Sequence, residues 1–141
     1  MAVTSEATTL WNGDLKTGTG TTTLDSSNAA QFPVSWAARS HGEAGKTNPE
    51  ELLGAAHSAC YSMALANLLA IAGTPPESLQ VTAAVTFDPA EGITGSHLLV
   101  SAKIPGISEA DFTSIADEAK KTCPVSRALI GIPITLEASL A

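Results

Sequence analysis

The sequence predicts a single α+β domain, and three observations lead to that class. Short threonine-rich or β-branched runs occupy the first third of the chain, a long apolar run follows, and extended runs then alternate with helical patterns. Strands, then a buried helix, then further strands and helices are typical of α+β proteins. The length of 141 residues fits one domain, which we expect to cover residues 1–141.

The first third of the chain contains three predicted strands. They are residues 8–11, 19–24 and 32–36. The turn signal Asn12-Gly13 follows the first of them, so the first two strands are predicted to form a hairpin. Residues 40–47 are polar and contain two glycines, which predicts a loop before the long apolar run.

The best-defined helix signal begins at Asn48. This residue can cap the helix, Pro49 suits the first helical position, and Glu50 and Glu51 lie near the positive end of the helix dipole. The helix is predicted to run to about residue 72. Because its middle is apolar almost all round, we expect it to be buried.

The length of this apolar run, about 20 residues, would also suffice to span a bilayer. Four polar side chains interrupt the run, and many of its apolar residues are small alanines. The polar residues are His57, Ser58, Ser62 and Asn67. We therefore predict a core helix rather than a membrane span.

The second half of the chain alternates strands and helices. Its predicted strands are residues 79–87, 97–104 and 132–140. Ser108 begins a capping-box sequence that opens an amphipathic helix to about residue 122. The dipeptide Cys123-Pro124 breaks that pattern and starts a short helical turn over residues 125–129.

Composition and charge exclude several classes of partner. The chain has a net charge of −7 and only two arginines, Arg39 and Arg127. It therefore lacks the basic footprint of a nucleic-acid binder, and binding to anionic membranes is not expected. No basic stretch followed by an apolar run opens the chain, which favours a cytoplasmic protein.

The two cysteines, Cys60 and Cys123, are the first candidates for chemistry. Without a secretory signal they are expected to be thiols, and their wide separation does not match the paired ligand spacing of structural zinc. Cys123 precedes a proline at a predicted helix start, where the helix dipole favours a thiolate. A small buried apolar cysteine is an equally good interpretation of Cys123.

For Cys60, deep in the apolar helix, an inert buried thiol is the simpler interpretation. Burial raises the pKa of a thiol, so a reactive Cys60 needs a cation nearby. Arg39 borders a polar loop that could fold over the helix. Its permanently charged guanidinium group suits simultaneous contact with a thiolate and a peroxide oxygen.

A carboxylate holding Arg39 would complete the site, and helix geometry favours Glu50 over Glu51. At about 100° per residue, Glu50 is about 80° from Cys60 around the helix axis, whereas Glu51 is on the opposite face. Ten residues of straight helix span about 15 Å, so either the helix bends near Gly54 or Arg39 spans part of the gap. Ordinary stabilisation of the helix start is an equally good role for both glutamates.

His57 lies three residues before Cys60 and shares its helix face. It could activate the thiol or join a metal site with both cysteines. The favoured interpretation is simpler: a histidine satisfied by a nearby carbonyl or hydroxyl group.

At these residues the chain resembles the OsmC/Ohr family, the osmotically inducible and organic hydroperoxide resistance proteins. The resemblance covers nearly the whole chain and depends on T-N-P-E-E-L at residues 47–52, A-H-S-A-C at 56–60, C-P-V-S at 123–126 and W-N-G-D-L-K at 11–16. Ohr-type chains carry their arginine in the early strand region, where this chain has none. Arg39 matches the later position typical of OsmC-type chains.

The resemblance implies antiparallel sheets wrapped around buried central helices in an intertwined homodimer, with active sites at the subunit interface. It also implies a metal-free thiol peroxidase without a cofactor. Cys60 would attack an organic hydroperoxide and become a sulfenic acid, which Cys123 would capture in an intramolecular disulfide. Arg39 and Glu50 would assist, the arginine commonly from the partner subunit, and a lipoyl-type dithiol could reduce the disulfide.

Two other functions stay open on the sequence alone. One is a non-catalytic dimeric module with inert cysteines that binds an apolar ligand or a protein. The other is a redox-sensing or metal-binding role for Cys60, His57 and Cys123.

Overall fold

The computed structural model describes residues 1–141 and confirms the α+β class. The chain divides into two compact units, Met1–Leu52 and Leu53–Ala141. The prediction of a single domain over residues 1–141 therefore stays a prediction.

The first unit is built on a three-stranded antiparallel sheet in the order β1-β2-β3. The strands are β1 (Thr8–Asn12), β2 (Thr19–Thr23) and β3 (Gln31–Ser35). Gly13 follows β1 with a φ of +93°, a conformation open to glycine, so the predicted hairpin turn is confirmed. Trp11 pairs with Gly20, and a Cβ on that glycine would lie 2.8 Å from the indole, so the missing side chain makes room for the ring.

A short helix that the sequence analysis missed follows β3 directly. Helix α1 covers Trp36–Ser40, where part of a strand and a loop were predicted. The Ser35 hydroxyl caps it by accepting the N–H of Ala38 at 3.0 Å. This helix carries Arg39 and so fixes the direction in which the arginine leaves the backbone.

Helix α2 covers Pro49–Ile71 and agrees with the prediction almost to the residue. The Asn48 side chain accepts the N–H of Glu51 at 2.8 Å, which confirms Asn48 as the cap. A Cβ on Gly54 would lie only 2.7 Å from the carbonyl oxygen of Ala83. Gly54 is therefore explained by the close approach of α2 to a neighbouring strand, a packing reason that the sequence analysis did not consider.

The second unit packs the greater part of α2, with two more helices, on a second three-stranded sheet. Its further elements are β4 (Ser78–Asp88), β5 (Gly92–Lys103), α3 (Glu109–Thr122), α4 (Pro124–Ala128) and β6 (Ile134–Leu140). The sheet order is β4-β5-β6. The β4–β5 pair is antiparallel as predicted, but β6 runs parallel to β5 because α3 and α4 return the chain before it starts.

The core of this unit is where one face of α2 meets β5 and α3. Each element contributes buried side chains at its own period, which is four residues on α2 and two on β5. They include Tyr61, Leu65 and Leu69 from α2, Leu98, Val100 and Ala102 from β5, and Phe112, Ala116 and Ala119 from α3. The fully buried Tyr61 donates its hydroxyl to the carbonyl of Ala116 at 2.9 Å.

The opposite face of α2 is exposed, so within the single chain the predicted burial of this helix holds for one face only. Its exposed apolar residues recur at about one helical turn. They are Ala55, Ala56, Ala59, Met63, Ala70 and Ile71. By length and composition alone α2 could cross a membrane, a test that core helices of soluble proteins also pass.

Candidate active site

The structure brings Cys60 and Cys123 together, although they lie far apart in the sequence. Cys60 is in the middle of α2 and half-buried, whereas Cys123 is fully buried in the junction between α3 and α4. Both are free thiols, and the Cys60 side chain interacts directly with that of Cys123. Two reduced thiols that pack against one another are candidates for a reversible disulfide.

Three influences act on the Cys60 thiol. Burial is the largest and raises its pKa, a hydrogen bond from the backbone N–H of Val125 lowers it, and the neighbouring Cys123 raises it again. Burial outweighs the N–H donor, so the net pKa of Cys60 is raised. As the sequence analysis expected, an efficient thiolate at this position requires a positive charge in addition.

The start of α4 faces Cys60, which differs from the sequence-based expectation. Cys123 occupies the N-cap position, but its side chain makes no capping hydrogen bond. The N–H of Val125 is instead directed at the Cys60 sulfur. The expectation that this helix start would serve Cys123 is corrected: the backbone donor there is committed to the other cysteine.

His57 lies one turn before Cys60 on α2 and is completely buried. Its Nδ1 forms a 2.7 Å hydrogen bond with the Ser96 hydroxyl, and its Nε2 forms a 2.8 Å bond with that of Ser126. Burial lowers the pKa of His57, which favours the neutral form of its ring near pH 7. The favoured prediction that hydroxyl or carbonyl groups satisfy this histidine agrees with both contacts.

Arg39 and Glu50 form an ion pair within the first unit. Glu50 Oε1 accepts Nε of Arg39 at 3.1 Å and Nη2 at 2.8 Å. The Glu50 side chain is only 6% exposed and that of Arg39 is 31% exposed. Glu51 is exposed and accepts the Thr47 hydroxyl at 2.6 Å. Between the two glutamates considered from helix geometry, Glu50 is the one that holds the arginine.

The second carboxylate oxygen, Oε2 of Glu50, is buried and has no hydrogen-bond partner. Buried polar atoms without a partner are uncommon and costly. Arg39 also lines a largely apolar cavity of about 340 Å³ and is the only charged residue in its wall. Apolar neighbours in that wall include Trp11, Leu15, Trp36 and Leu52.

Two groups of residues, one in each unit, were not found from the sequence. Ser126 was visible only as the last residue of the C-P-V-S motif, three positions after Cys123, and Ser96 had no local signal at all. The aromatic lining from Trp11 and Trp36 depends on α1, which was missed. Four of the predicted residues lie in two interacting pairs, which are Arg39 with Glu50 and Cys60 with Cys123.

A pair of contacting thiols beside a helix start, in an α+β fold, is the arrangement of a thiol-based redox protein. The family model described as OsmC-like protein matches residues 41–137 of this chain. The chain is 44% identical over 122 residues to peroxiredoxin OsmC of Escherichia coli strain K12, with 84% of this chain and 85% of the relative covered. The protein belongs to the OsmC-like family.

Further comparisons agree with this assignment. An organic hydroperoxide resistance protein of Xanthomonas axonopodis pv. citri is 33% identical over 97 residues, with 64% of this chain and 65% of the relative covered. The crystal structure of an OsmC-like protein from Mycoplasma pneumoniae matches 100% of this chain and 99% of its own at a TM-score of 0.71 and 25% identity. Relatives named for peroxide reduction or resistance indicate a family of peroxidases.

Proposed function

We propose that this protein is a two-cysteine thiol peroxidase that reduces organic hydroperoxides to alcohols. The observation that carries the proposal is the packing of Cys60 against the buried cluster that contains Cys123, with the two thiols close enough to interact and the Val125 N–H donating to Cys60. Cys60 is the more accessible of the two thiols and is therefore the one that meets the peroxide. Cys123 is fully buried and acts second.

The chemistry proceeds in two balanced steps. The Cys60 thiolate attacks the terminal oxygen of ROOH, a sulfur–oxygen bond forms, the O–O bond breaks, and the alkoxide leaves with a proton as ROH. The Cys123 sulfur then attacks the Cys60 sulfenic acid, a disulfide forms, and the OH group leaves with the Cys123 proton as water. An external dithiol, such as a lipoyl group, returns both cysteines to thiols and is itself oxidised to a disulfide.

In this proposal Arg39 provides the positive charge that stabilises the Cys60 thiolate. A guanidinium group stabilises both a thiolate and the negative charge that develops on the departing oxygen. Glu50 holds that group through two hydrogen bonds to one oxygen, which limits the orientations that Arg39 can adopt. The apolar side chains around Cys60 support an alkyl substituent on the peroxide, since burial of apolar surface favours a larger organic substrate over hydrogen peroxide.

A homodimer is part of the same proposal. The exposed face of α2 presents Met63 and Ile71, which are 72% and 75% exposed in the single chain, among small alanines. A second copy of the chain would cover this apolar face, and the active sites would then lie at the subunit interface in a cytoplasmic dimer. Met63→Glu should increase the monomer fraction in light scattering, whereas Leu99→Glu, at an exposed sheet position, should not.

Single-turnover oxidation by cumene hydroperoxide tests the proposed chemistry. Reduced wild-type protein should consume one equivalent and form an internal disulfide. Cys123→Ser should consume the peroxide and stop at the sulfenic acid, and Cys60→Ser should consume none. Hydrogen peroxide reacting faster than the organic peroxide would refute the substrate class.

The raised pKa of Cys60 favours one alternative, a non-catalytic module with inert thiols. The same experiment distinguishes this non-catalytic module from a peroxidase, because inert thiols would leave the hydroperoxide unconsumed in every variant.

A further inference from the structure

His57 is a buried titratable residue that the proposed peroxidase chemistry does not use. It lies three residues before Cys60 on α2, and its partner Ser126 lies three residues after Cys123 on the segment that opens α4. Three helical residues correspond to a rise of about 4.5 Å, so the hydrogen bond between them joins α2 and α4 about one turn from each cysteine.

On the basis of the proposed peroxidase function, we infer that His57 and Ser126 are positioning residues for the two thiols. Their hydrogen bond fixes the start of α4 against α2, so that the Val125 N–H stays on the Cys60 sulfur and Cys123 stays within reach of the Cys60 sulfenic acid. Neither side chain has to touch the peroxide. Both side chains act indirectly, by holding α4 in position.

The two bonds of His57 have different consequences. Ser96 belongs to β5, the central strand, which is paired on one side with β4 and on the other with β6. The Nδ1 bond to Ser96 therefore anchors the imidazole to a rigid sheet. The Nε2 bond to Ser126 joins the imidazole, which α2 itself carries, directly to α4, so this bond sets where α4 lies against α2.

All three residues of this hydrogen-bonded arrangement are buried. His57, Ser96 and Ser126 are 0%, 2% and 5% exposed, respectively. A neutral imidazole offers one donor and one acceptor, so one serine hydroxyl must donate to the ring and the other must accept from it. Both ring nitrogens are thus in use, which favours a fixed connector over a general base for Cys60.

Helix α4 needs such a connector because it has only five residues, Pro124–Ala128. A helix this short is not stable by itself, so its position depends on tertiary contacts. Apolar contacts limit how closely it packs but are tolerant of rotation, whereas a hydrogen bond is directional. A small rotation would remove the Val125 N–H from the Cys60 sulfur and change the separation of the two thiols.

Two serine variants give a matched test, since each removes one buried hydroxyl from the same histidine. In a Cys123→Ser background, the pH dependence of alkylation by monobromobimane reports the pKa of Cys60 without any peroxide. In the two-cysteine protein, one equivalent of cumene hydroperoxide is added. Stopped-flow then measures the rate of disulfide closure, and mass spectrometry measures the share of Cys60 converted to sulfinic acid.

Ser126→Ala should raise the pKa of Cys60, slow disulfide closure by about tenfold and increase the sulfinic product. A tenfold change corresponds to about 1.4 kcal/mol, within the range of one buried hydrogen bond. Ser96→Ala should leave both readouts within about twofold of wild type while lowering the stability to a similar extent. Equal effects of the two variants, or no effect of Ser126→Ala, would overturn the inference.

Two histidine variants decide the question if a serine variant does not fold. A glutamine amide can reach the Nε2 position, and an asparagine amide the Nδ1 position. His57→Gln should therefore preserve disulfide closure through Ser126, and His57→Asn should lose it. The reverse order would refute the inference. If the wild type consumes no hydroperoxide the proposed function fails, but the alkylation contrast still tests whether His57 and Ser126 position the Cys60 thiol.

Discussion

Replacing Glu50 with glutamine separates the charge of this residue from its shape. Both hydrogen bonds that Arg39 donates to Glu50 go to Oε1, while Oε2 is buried without a partner. In Glu50→Gln the amide oxygen can occupy the Oε1 position and keep both contacts. The amide nitrogen then takes the place of an atom that makes no hydrogen bond. The variant removes the negative charge and places two amide N–H donors where Oε2 has no partner.

The size of the effect follows from the burial of the two partners. Breaking a fully buried ion pair costs about 3–5 kcal/mol, whereas an exposed pair contributes about 0–1 kcal/mol. Glu50 is 6% exposed but Arg39 is 31% exposed, so solvent screens part of the interaction. We therefore expect Glu50→Gln to lower the free energy of unfolding by about 1–2 kcal/mol.

Urea denaturation at one fixed protein concentration measures this change, and Glu51→Gln is the matched control. Glu51 is the neighbouring carboxylate but is exposed, so its replacement should change the stability by less than about 0.5 kcal/mol. Under the proposed function, Glu50→Gln should also lower kcat/KM for cumene hydroperoxide by about tenfold, equivalent to about 1.4 kcal/mol. Equal losses in the two variants would refute the assignment of Glu50 as the holder of Arg39.

Three further predictions address packing, a buried hydrogen bond and pH dependence. Gly54→Ala should destabilise the protein by about 1–3 kcal/mol in urea denaturation, because its Cβ would lie 2.7 Å from a strand carbonyl. Tyr61→Phe should cost about 1–2 kcal/mol by the same assay, since it removes a buried hydrogen bond of 2.9 Å. Under the proposed function, Arg39→Gln removes the stabilising cation, so burial, followed by the neighbouring Cys123, should hold the pKa of Cys60 above its ordinary value. Alkylation near pH 7 should therefore be slower than in wild type and recover as the pH rises.

Controls for these variants come from the same chain. Gly131 has open space at its Cβ position, so Gly131→Ala should be close to neutral. A Gly54→Ala variant as stable as Gly131→Ala would contradict the tight packing of α2 on its strand. Alkylation of Cys60 with the same pH profile in wild type and in Arg39→Gln would remove Arg39 from thiol activation.

The features that sequence predicted well are those encoded within a few residues. The Asn48 cap, the proline after it and the two glutamates specify where α2 starts, and the structure has the predicted capping bond. Ser108 similarly opens α3 by accepting the N–H of Asp111. Both signals are local, since the side chain and the backbone group it satisfies are three residues apart.

The predictions that failed required knowledge of the surroundings. Helix α1 has five residues, too few to establish a helical period, and its cap Ser35 follows a strand pattern without a break. An apolar helix is expected to be buried, but the sequence does not say whether its own chain covers every face. In α2 one face packs on β5 and α3 and the other is left exposed.

The partners of His57 were unpredictable for a different reason. Ser96 and Ser126 are 39 and 69 positions away, and serine is too common for its spacing to indicate a contact. The sequence could state only that a buried imidazole must be satisfied. Which hydroxyl groups satisfy it is decided by how β5 and α4 pack around α2.

This dependence on packing explains why a polar connector lies inside an apolar core. The buried surface of Cys123 and its neighbours fixes how close α4 comes to α2, but the chemistry requires a particular rotation, with the Val125 N–H directed at Cys60. Hydrogen bonds specify orientation where apolar contacts do not. A neutral histidine suits the task because each ring nitrogen bonds one hydroxyl group, which satisfies both without burying a charge.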